Sequence, residues 1–327
     1  MAAETVTIED VHAARTMLDG KVRHTPMIES PVLGRIAGVP VHLKLETMQD
    51  IGAFKIRGAT NKLASLRAED RRRGAVAVST GNHGRGVAAA AKALGMRCVV
   101  CMGNLVPENK VQGIRDLGAE VRIVGNSQDD AEIEVKRLVT DEGMIEAHPF
   151  DDAHVIAGQG TIGLEILEDL PDVKTAIVPL SGGGLLGGTA LALKSSKPDI
   201  RIIGVSMERG PAMIESLKAG KPVPVTEKES LADSLGGGIG LGNRLTFDLC
   251  RDLMDEWHLL SEEQIARAMA HCFWQERLVV EGGGSVGVGA LLEDFIDNLE
   301  GPVAVVVSGR NVDMNNLHDI ADRHRPD

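Results

Sequence analysis

Residues 44–59 read Lys-Leu-Glu-Thr-Met-Gln-Asp-Ile-Gly-Ala-Phe-Lys-Ile-Arg-Gly-Ala, and this stretch decides how the rest of the chain is interpreted. Lys55 lies in it between Phe54 and Ile56, and apolar neighbours of this kind partly desolvate an amine. Desolvation disfavours the ammonium form and lowers the pKa of a lysine, which a Schiff-base lysine requires. For a lone lysine, the ordinary interpretation is instead a helix start with its amine in water.

Outward from Lys55, predicted strands alternate with predicted helices from residue 74 to residue 307. Strands that alternate with helices indicate parallel sheets with helices on both faces. The paired residues Asp151 and Asp152 mark the passage from a first series to a second one. The predicted strands lie at 75–79, 98–102, 120–124, 144–147, 175–180, 201–206 and 303–307. The pattern therefore predicts an α/β fold.

The composition argues against several classes of partner. The 327 residues carry a formal net charge of −12 and no Tyr, whereas nucleic-acid binding favours a basic face and aromatic stacking platforms. No stretch approaches the roughly 18 consecutive apolar residues of a membrane span. The first residues, Met1-Ala2-Ala3-Glu4, lack a basic segment followed by an apolar one. We therefore expect no nucleic acid or membrane partner, and a cytoplasmic protein.

A glycine-rich loop, Ser181-Gly182-Gly183-Gly184-Leu185-Leu186-Gly187, follows a predicted strand and opens a predicted helix. Backbone N–H groups at such a helix start bind phosphate, and glycine lets the backbone approach closely. The loop is also a literal G-x-G-x-x-G with Glu208 about twenty residues on, a pattern typical of dinucleotide-dependent oxidoreductases. Close helix–strand packing is a third explanation, and we expect it to account for fewer of the glycines.

Two further polar turns follow predicted strands, at the sheet edge where open α/β folds bind ligands. The first is Ser79-Thr80-Gly81-Asn82-His83; capping by Ser79 or Thr80 would explain a turn there without any ligand. The second begins at Ser308, and a serine after an apolar strand is usually only a turn residue.

The frame around Lys55 resembles the G-[SA]-F-K-x-R-G-A signature of fold-type II pyridoxal phosphate (PLP) enzymes, the threonine dehydratase and serine racemase family. The resemblance implies that Lys55 holds PLP through a Schiff base beside Phe54, and that Asn82 binds the ring hydroxyl. It places Ser308 against the pyridine nitrogen and Glu281 near the ring, although Glu281 is equally compatible with an ordinary loop carboxylate. It assigns the phosphate to Ser181, Gly182, Gly183, Gly184 and Leu185.

The same resemblance implies an architecture like that of the tryptophan synthase β-subunit, with two open, mostly parallel sheets flanked by helices. Residues 1–50 and 150–327 would form a large PLP-binding domain, and 51–149 a small mobile domain, with no regulatory domain. The family also implies a homodimer.

The implied reaction is α,β-elimination on a β-hydroxy amino acid, which yields a 2-oxo acid and ammonia. Lys55 would take the α-proton, and the leaving hydroxyl would receive a proton from the phosphate or from Thr80. Because Thr80 stands where the racemases carry a catalytic serine, a PLP-dependent racemase is the alternative. The small-molecule amino-acid substrate would be bound by Ser79, Thr80, Gly81, His83 and Arg85.

The residues of these motifs are most similar to those of the hydroxyectoine-utilisation dehydratase branch, which would imply a hydroxylated diaminobutyrate-like substrate. Arg85 replaces a usual glutamine, and Arg310 and Ser234 each replace a glycine. We expect Arg85 or Arg310 to help bind a second polar group of the substrate. Ser206 and Ala212 occupy the two positions where some relatives bind a divalent cation, so we predict no metal, although Glu208 could still coordinate one. A non-catalytic phosphate- or amino-acid-binding protein would not need Lys55.

Overall fold

The computed structural model describes residues 5–326 except 80, 105, 107, 126 and 127. Its strands are β1 (Met27–Glu29), β2 (Val41–Leu45), β3 (Ala75–Val78), β4 (Cys98–Met102), β5 (Glu120–Ile123), β6 (Ile145–Glu146), β7 (Thr175–Pro179), β8 (Arg201–Met207), β9 (Glu256–Leu260) and β10 (Val303–Val307). Its helices are α1 (Ile8–Leu18), α2 (Pro31–Ala37), α3 (Lys55–Ala64), α4 (Ala68–Arg73), α5 (Asn82–Ala93), α6 (Glu108–Arg115), α7 (Gln128–Glu142), α8 (Ala153–Asp169), α9 (Gly184–Ser196), α10 (Ala212–Ala219), α11 (Leu245–Leu253), α12 (Glu262–Trp274), α13 (Gly282–Leu292) and α14 (Met314–Arg323).

The strands form two sheets. The larger has the order β1-β2-β10-β7-β8-β9 and is parallel except for β1, which pairs antiparallel with β2. The smaller has the order β5-β4-β3-β6 and is parallel throughout. Every residue of β10 is buried, as expected for a central strand covered by helices on both faces. The predicted fold class, two open and mostly parallel sheets flanked by helices, is confirmed.

The helix starts follow local capping chemistry. Thr7 and Asp10 form a capping box at α1, and the Asp152 carboxylate accepts from two backbone N–H groups at the start of α8. The basic run that ends at Arg73 forms the last turn of helix α4. Three arginines at a helix C-terminus face the negative end of the helix dipole, which stabilises them there.

The chain crosses between the sheets twice. After β2 it passes through a 3-10 helix, Glu46–Met48, to α3 and the smaller sheet, and it returns at residues 147–152 to α8. The smaller sheet takes its strands from residues 75–146, and the larger sheet from residues 27–45 and 175–307. The mobility of residues 51–149 as a small domain stays a prediction.

A buried ionic cluster fixes the first crossing against α8. The Arg57 guanidinium is 1% exposed and donates to both carboxylate oxygens of Glu46 and both of Glu165, at 2.6–2.8 Å. The Lys44 amine, fully buried, also pairs with Glu165 at 2.9 Å. Because each charged side chain of this cluster has a partner of opposite charge, the cluster holds the start of α3 in one position.

Helices α3 and α8 pack with their backbones close together. A Cβ atom at Gly58 would lie 2.8 Å from the Val155 carbonyl oxygen, and one at Gly158 would lie 2.7 Å from Gly58 Cα. Glycine is therefore required at both positions by packing. None of the helices in the described part of the chain is long and apolar enough to cross a membrane.

Candidate active site

Lys55 is brought to the end of β10 by backbone pairing. Ala53 forms an isolated antiparallel bridge with Gly309, and the Phe54 N–H donates to the Ser308 carbonyl oxygen at 3.0 Å. The N–H of Arg310 donates to the Gly52 carbonyl oxygen at 2.9 Å. Residues far apart in sequence thus place the first residue of α3 beside the carboxyl edge of the larger sheet.

The Lys55 amine is half-buried and donates to the Pro149 carbonyl oxygen at 2.7 Å. Burial lowers the pKa of Lys55 to about 8, so the lowered pKa predicted from its apolar neighbours is confirmed. The nearby lysines are engaged elsewhere: Lys44 pairs with Glu165 and Asp169, and Lys62 pairs with Asp152. Lys55 is therefore the lysine of the three that is suited to act as a nucleophile.

A cavity of about 1190 Å³ opens in front of Lys55 between the two sheets. Thr80, a predicted site residue, lies outside the described residues. The structure brings all the other predicted site residues to the wall of this cavity: Phe54, Lys55, Ser79, Gly81, Asn82, His83, Arg85, Ser181, Gly182, Gly183, Gly184, Leu185, Glu281 and Ser308.

The glycine-rich loop forms the N-terminus of α9 on the wall of the cavity. Gly183 is the N-cap, with φ of +88°, and no acceptor among the described residues faces the N–H groups of Gly184 and Leu185. These N–H groups and the helix dipole make the loop suited to an anion such as a phosphate group.

Packing also requires several of these glycines, but against Phe150 and helix α11 rather than against a strand. A Cβ atom at Gly182 would overlap the Phe150 ring, and one at Gly184 would lie 3.1 Å from Phe150. At Gly183 it would lie 2.8 Å from Cys250 Sγ, and at Gly187 it would lie 3.0 Å from a side chain of α11. One side of the loop therefore packs against Phe150 and α11. The other side lines the cavity, where the N–H groups of Gly184 and Leu185 are available to a ligand.

A second helix N-terminus, that of α5, reaches the cavity from the smaller sheet. The Ser79 hydroxyl accepts from the N–H groups of Gly81 at 3.2 Å and Gly84 at 2.8 Å, so Ser79 shapes the turn. In the part of the chain that the structure describes, the N–H groups of Asn82 and His83 have no acceptor. They form a second site suited to an anion.

The His83 ring supports this turn from beneath. Its Nε2 lies 2.7 Å from the Ala147 carbonyl oxygen, which can only accept, so Nε2 carries the proton. Burial and the positive charge of Lys55 lower the pKa of His83 to about 3, which keeps the ring neutral. A substrate contact of His83 stays a prediction, and its backbone N–H is the group suited to make one.

Three residues form a closed ring of hydrogen bonds that orients Asn82. The Asn82 Nδ2 donates to Glu281 at 2.7 Å, and the Asn311 Nδ2 donates to Asn82 Oδ1 at 2.6 Å. The Asn311 backbone N–H closes the ring by donating to Glu281 at 2.9 Å. The Asn311 Nδ2 also donates to the Ile51 carbonyl oxygen, so it must be the nitrogen of that amide. The oxygen of the Asn82 amide therefore faces Asn311 and its nitrogen faces Glu281, and the second N–H of Asn82 is left for a ligand.

Ser308 directly follows β10 on the cavity wall and is 4% exposed. Its hydroxyl has no hydrogen-bond partner among the described residues. It is therefore free to bond a ligand atom, such as the ring nitrogen that the sequence assigned to it.

Three residues that the sequence did not assign to the site help to form it. Pro149 accepts from the Lys55 amine, Phe150 packs under Gly182, and Asn311 orients Asn82. Asn311 alone had a sequence signal, because it belongs to the Ser-Gly-Arg-Asn motif that begins at Ser308. No group of three or more His, Cys, Asp or Glu in the described ranges could hold a metal ion, and the expected absence of a metal stays a prediction.

These features fit PLP. Gly184 and Leu185 offer N–H donors to a phosphate, Lys55 offers an amine of lowered pKa, and Asn82 and Ser308 offer bonds to a ring. Fold and site together define a PLP-dependent enzyme.

Residues 18–309 match the family described as pyridoxal-phosphate dependent enzyme, and the chain belongs to this family. A Sinorhizobium fredii protein provisionally named a threonine dehydratase is 52% identical over 313 residues, which cover 96% of this chain and 94% of that protein. An L-threonine ammonia-lyase of Thermotoga maritima is 43% identical over 318 residues, which cover 97% of this chain and 79% of that protein. The structure of maize serine racemase is 32% identical, with a TM-score of 0.92 over 98% of each chain.

The family and these relatives confirm two further predictions, PLP as the cofactor and an enzyme of the lyase class. They also favour PLP phosphate over a dinucleotide as the ligand of the loop that runs from Gly182 to Gly187.

Proposed function

We propose that the protein is a dehydratase that converts a β-hydroxy amino acid into a 2-oxo acid and ammonia. One observation carries this proposal: the Lys55 amine, with its lowered pKa, faces a cavity whose wall contains two helix N-termini, those of α5 and α9. An amino acid bound to PLP has two anionic groups to place, its own carboxylate and the phosphate of PLP. The two helix N-termini match that pair.

The N-terminus of α9 would take the phosphate, because α9 follows β7, the strand that pairs with β10 next to Ser308. The N-terminus of α5 would take the substrate carboxylate through the N–H groups of Asn82 and His83. When bound, PLP supplies an aldehyde that condenses with the amino group and a conjugated ring that takes up the electrons left by the α-proton.

Lys55 would accept that proton at its Nζ atom. With a pKa of about 8, a large fraction of the amine population is neutral near pH 8, which suits a general base. The Pro149 carbonyl oxygen accepts from Nζ and keeps the amine pointed at the cavity. A proton for the leaving hydroxyl would come from Thr80 or from the phosphate.

Ser308 favours elimination over reactions that need a long-lived carbanion. A hydroxyl cannot hold the ring nitrogen protonated as a carboxylate would, so the ring would be the weaker electron sink. The hydroxyl would then leave promptly once the α-proton has been taken. Two relatives are named threonine dehydratase and L-threonine ammonia-lyase, and these names describe the same type of reaction.

A racemase is the second candidate, and the likeness to maize serine racemase is the observation that favours it. For the substrate we propose either a threonine- or serine-like amino acid or a hydroxylated diaminobutyrate derivative. The second option rests on the resemblance of the motifs to the hydroxyectoine-utilisation branch. We also propose a cytoplasmic homodimer with no nucleic acid or membrane partner.

Product analysis of the purified holoenzyme tests the proposal. We expect a β-hydroxy amino acid to yield 2-oxo acid and ammonia in equal amounts, and the Lys55→Ala variant to yield neither. L-Serine, L-threonine and 3-hydroxy-2,4-diaminobutyrate, free and N4-acylated, form the panel. Chiral chromatography of the remaining amino acid measures racemisation. Inversion of L-serine without release of ammonia would replace the dehydratase by the racemase.

A further inference from the structure

Arg85 is a cation on the cavity wall that the proposed reaction does not use. It lies on α5 one turn after Asn82 and is half-buried. Its guanidinium lies against α6, where a Cβ atom at Gly113 would overlap it. The absence of a side chain at Gly113 therefore makes the slot in which the guanidinium sits.

No carboxylate among the described residues pairs with Arg85. Three of the carboxylates that line the cavity are engaged elsewhere: Glu281 bonds Asn82 and Asn311, Asp233 pairs with Lys110, and Asp313 caps α14. The remaining one, Glu227, is exposed to solvent. A half-buried guanidinium has lost part of its hydration, and an anionic partner would restore the lost interaction.

We propose that Arg85 binds an oxygen acceptor at the far end of the substrate side chain, a carboxylate by preference and an amide carbonyl otherwise. This inference rests on the proposed function, because it names the substrate class for the same cavity. The α-carboxylate already has donors in the N–H groups of Asn82 and His83. The methyl group of threonine would leave the guanidinium without a partner.

The chemistry of the guanidinium sets the order of preference. Its planar fork matches the two oxygens of a carboxylate, whereas an amide offers one oxygen and an ammonium group would be repelled. A 3-hydroxy dicarboxylic amino acid is therefore the favoured class. A hydroxylated diaminobutyrate fits this position only if its terminal amine is acylated.

Binding of amino acids without a β-hydroxyl group tests the inference separately from the proposed reaction. L-Alanine, L-aspartate, L-glutamate, L-asparagine and L-glutamine are titrated into the holoenzyme, and changes in its visible absorption give each Kd. We expect aspartate or glutamate to bind about 10- to 100-fold more tightly than alanine, the range of a charge-assisted bond. The amides should fall between them.

Arg85→Gln should remove this preference and leave the Kd of alanine within about twofold, and Arg85→Lys should restore part of it. Arg310→Gln is the matched control, because it removes the same charge from an exposed side chain on the same cavity wall. A preference that is absent from the wild type, or that Arg310→Gln reduces as much as Arg85→Gln, would overturn the inference. Urea midpoints equal to the wild type show that each variant is folded. Product analysis, not these titrations, decides the proposed function.

Discussion

Replacement of Glu281 by glutamine should change how the stability of the protein depends on pH. The carboxyl is 4% exposed and accepts hydrogen bonds from Asn82 and Asn311. Burial, and next the negative charge of Asp233, raise the pKa of Glu281 from 4.5 to about 7. In the unfolded chain the carboxyl returns to water and to its ordinary pKa.

The sign of the effect follows from proton binding. Between about pH 4.5 and pH 7 the unfolded chain has lost the Glu281 proton while the folded chain retains it. The free energy of unfolding therefore falls as pH rises through this range. The contribution of Glu281 to the stability is complete below the range and lost above it. Each pKa unit corresponds to about 1.4 kcal/mol, so the difference between the two pKa values of Glu281 corresponds to about 3 kcal/mol.

Urea unfolding of the apoenzyme at pH values from 4.5 to 8 measures this contribution. The free energy of unfolding of the wild type minus that of Glu281→Gln should fall by about 3 kcal/mol across the range. Asp233→Asn removes one cause of the raised pKa and should make the fall smaller. A difference that stays constant, or that grows with pH, would show that Glu281 is not desolvated and would refute the reasoning.

Three further predictions concern the cofactor site. Only a neutral amine adds to an aldehyde, so the rate at which the apoenzyme takes up PLP should rise with pH. It should reach half its maximum near pH 8, the pKa of Lys55. Stopped-flow absorbance measures this rate, and a half-maximum near pH 10 would contradict the lowered pKa. Gly182→Ala should lower the free energy of unfolding by about 1–3 kcal/mol because its Cβ overlaps Phe150. Gly238→Ala, whose Cβ has only one atom within 4.0 Å, is the control, and equal urea midpoints for both would count against the packing argument. Thr80→Ser should raise racemisation of L-serine relative to elimination, since the methyl of threonine restricts its hydroxyl; α-deuterium exchange measures both, and a wild type that racemises faster than it eliminates would contradict the dehydratase.

The fold was predictable where local chemistry decides it. The apolar run of β10 has the pattern of a central parallel strand, and the Thr7 capping box marks the start of α1. The sequence does not reveal that helix α13 begins at Gly282, because three glycines in a row are typical of a loop. In the structure they begin the helix, and packing requires glycine there: a Cβ atom would overlap the backbone of residue 231 at Gly282, the Ser234 side chain at Gly283 and the backbone of residue 309 at Gly284.

The candidate site was predictable where a side chain carries the chemistry, as at Lys55, Asn82 and Ser308. It was not predictable where the backbone or a distant contact does. The carbonyl oxygen of Pro149 could belong to any residue, and only the fold brings it to the Lys55 amine. Likewise, the need for glycine at 182 comes from the ring of Phe150, which its own sequence neighbours do not reveal.

The two chain crossings between the sheets meet at the Lys55 amine. Lys55 ends the first crossing, Pro149 belongs to the second, and the bond from Nζ to the Pro149 carbonyl oxygen joins them. Points on an axis of rotation stay still while points far from it move. A rotation of the smaller sheet about the line through the crossings would carry the open end of α5 towards or away from α9 and would leave the amine almost stationary. The protein could thus admit and enclose a substrate without realigning its nucleophile at each turnover.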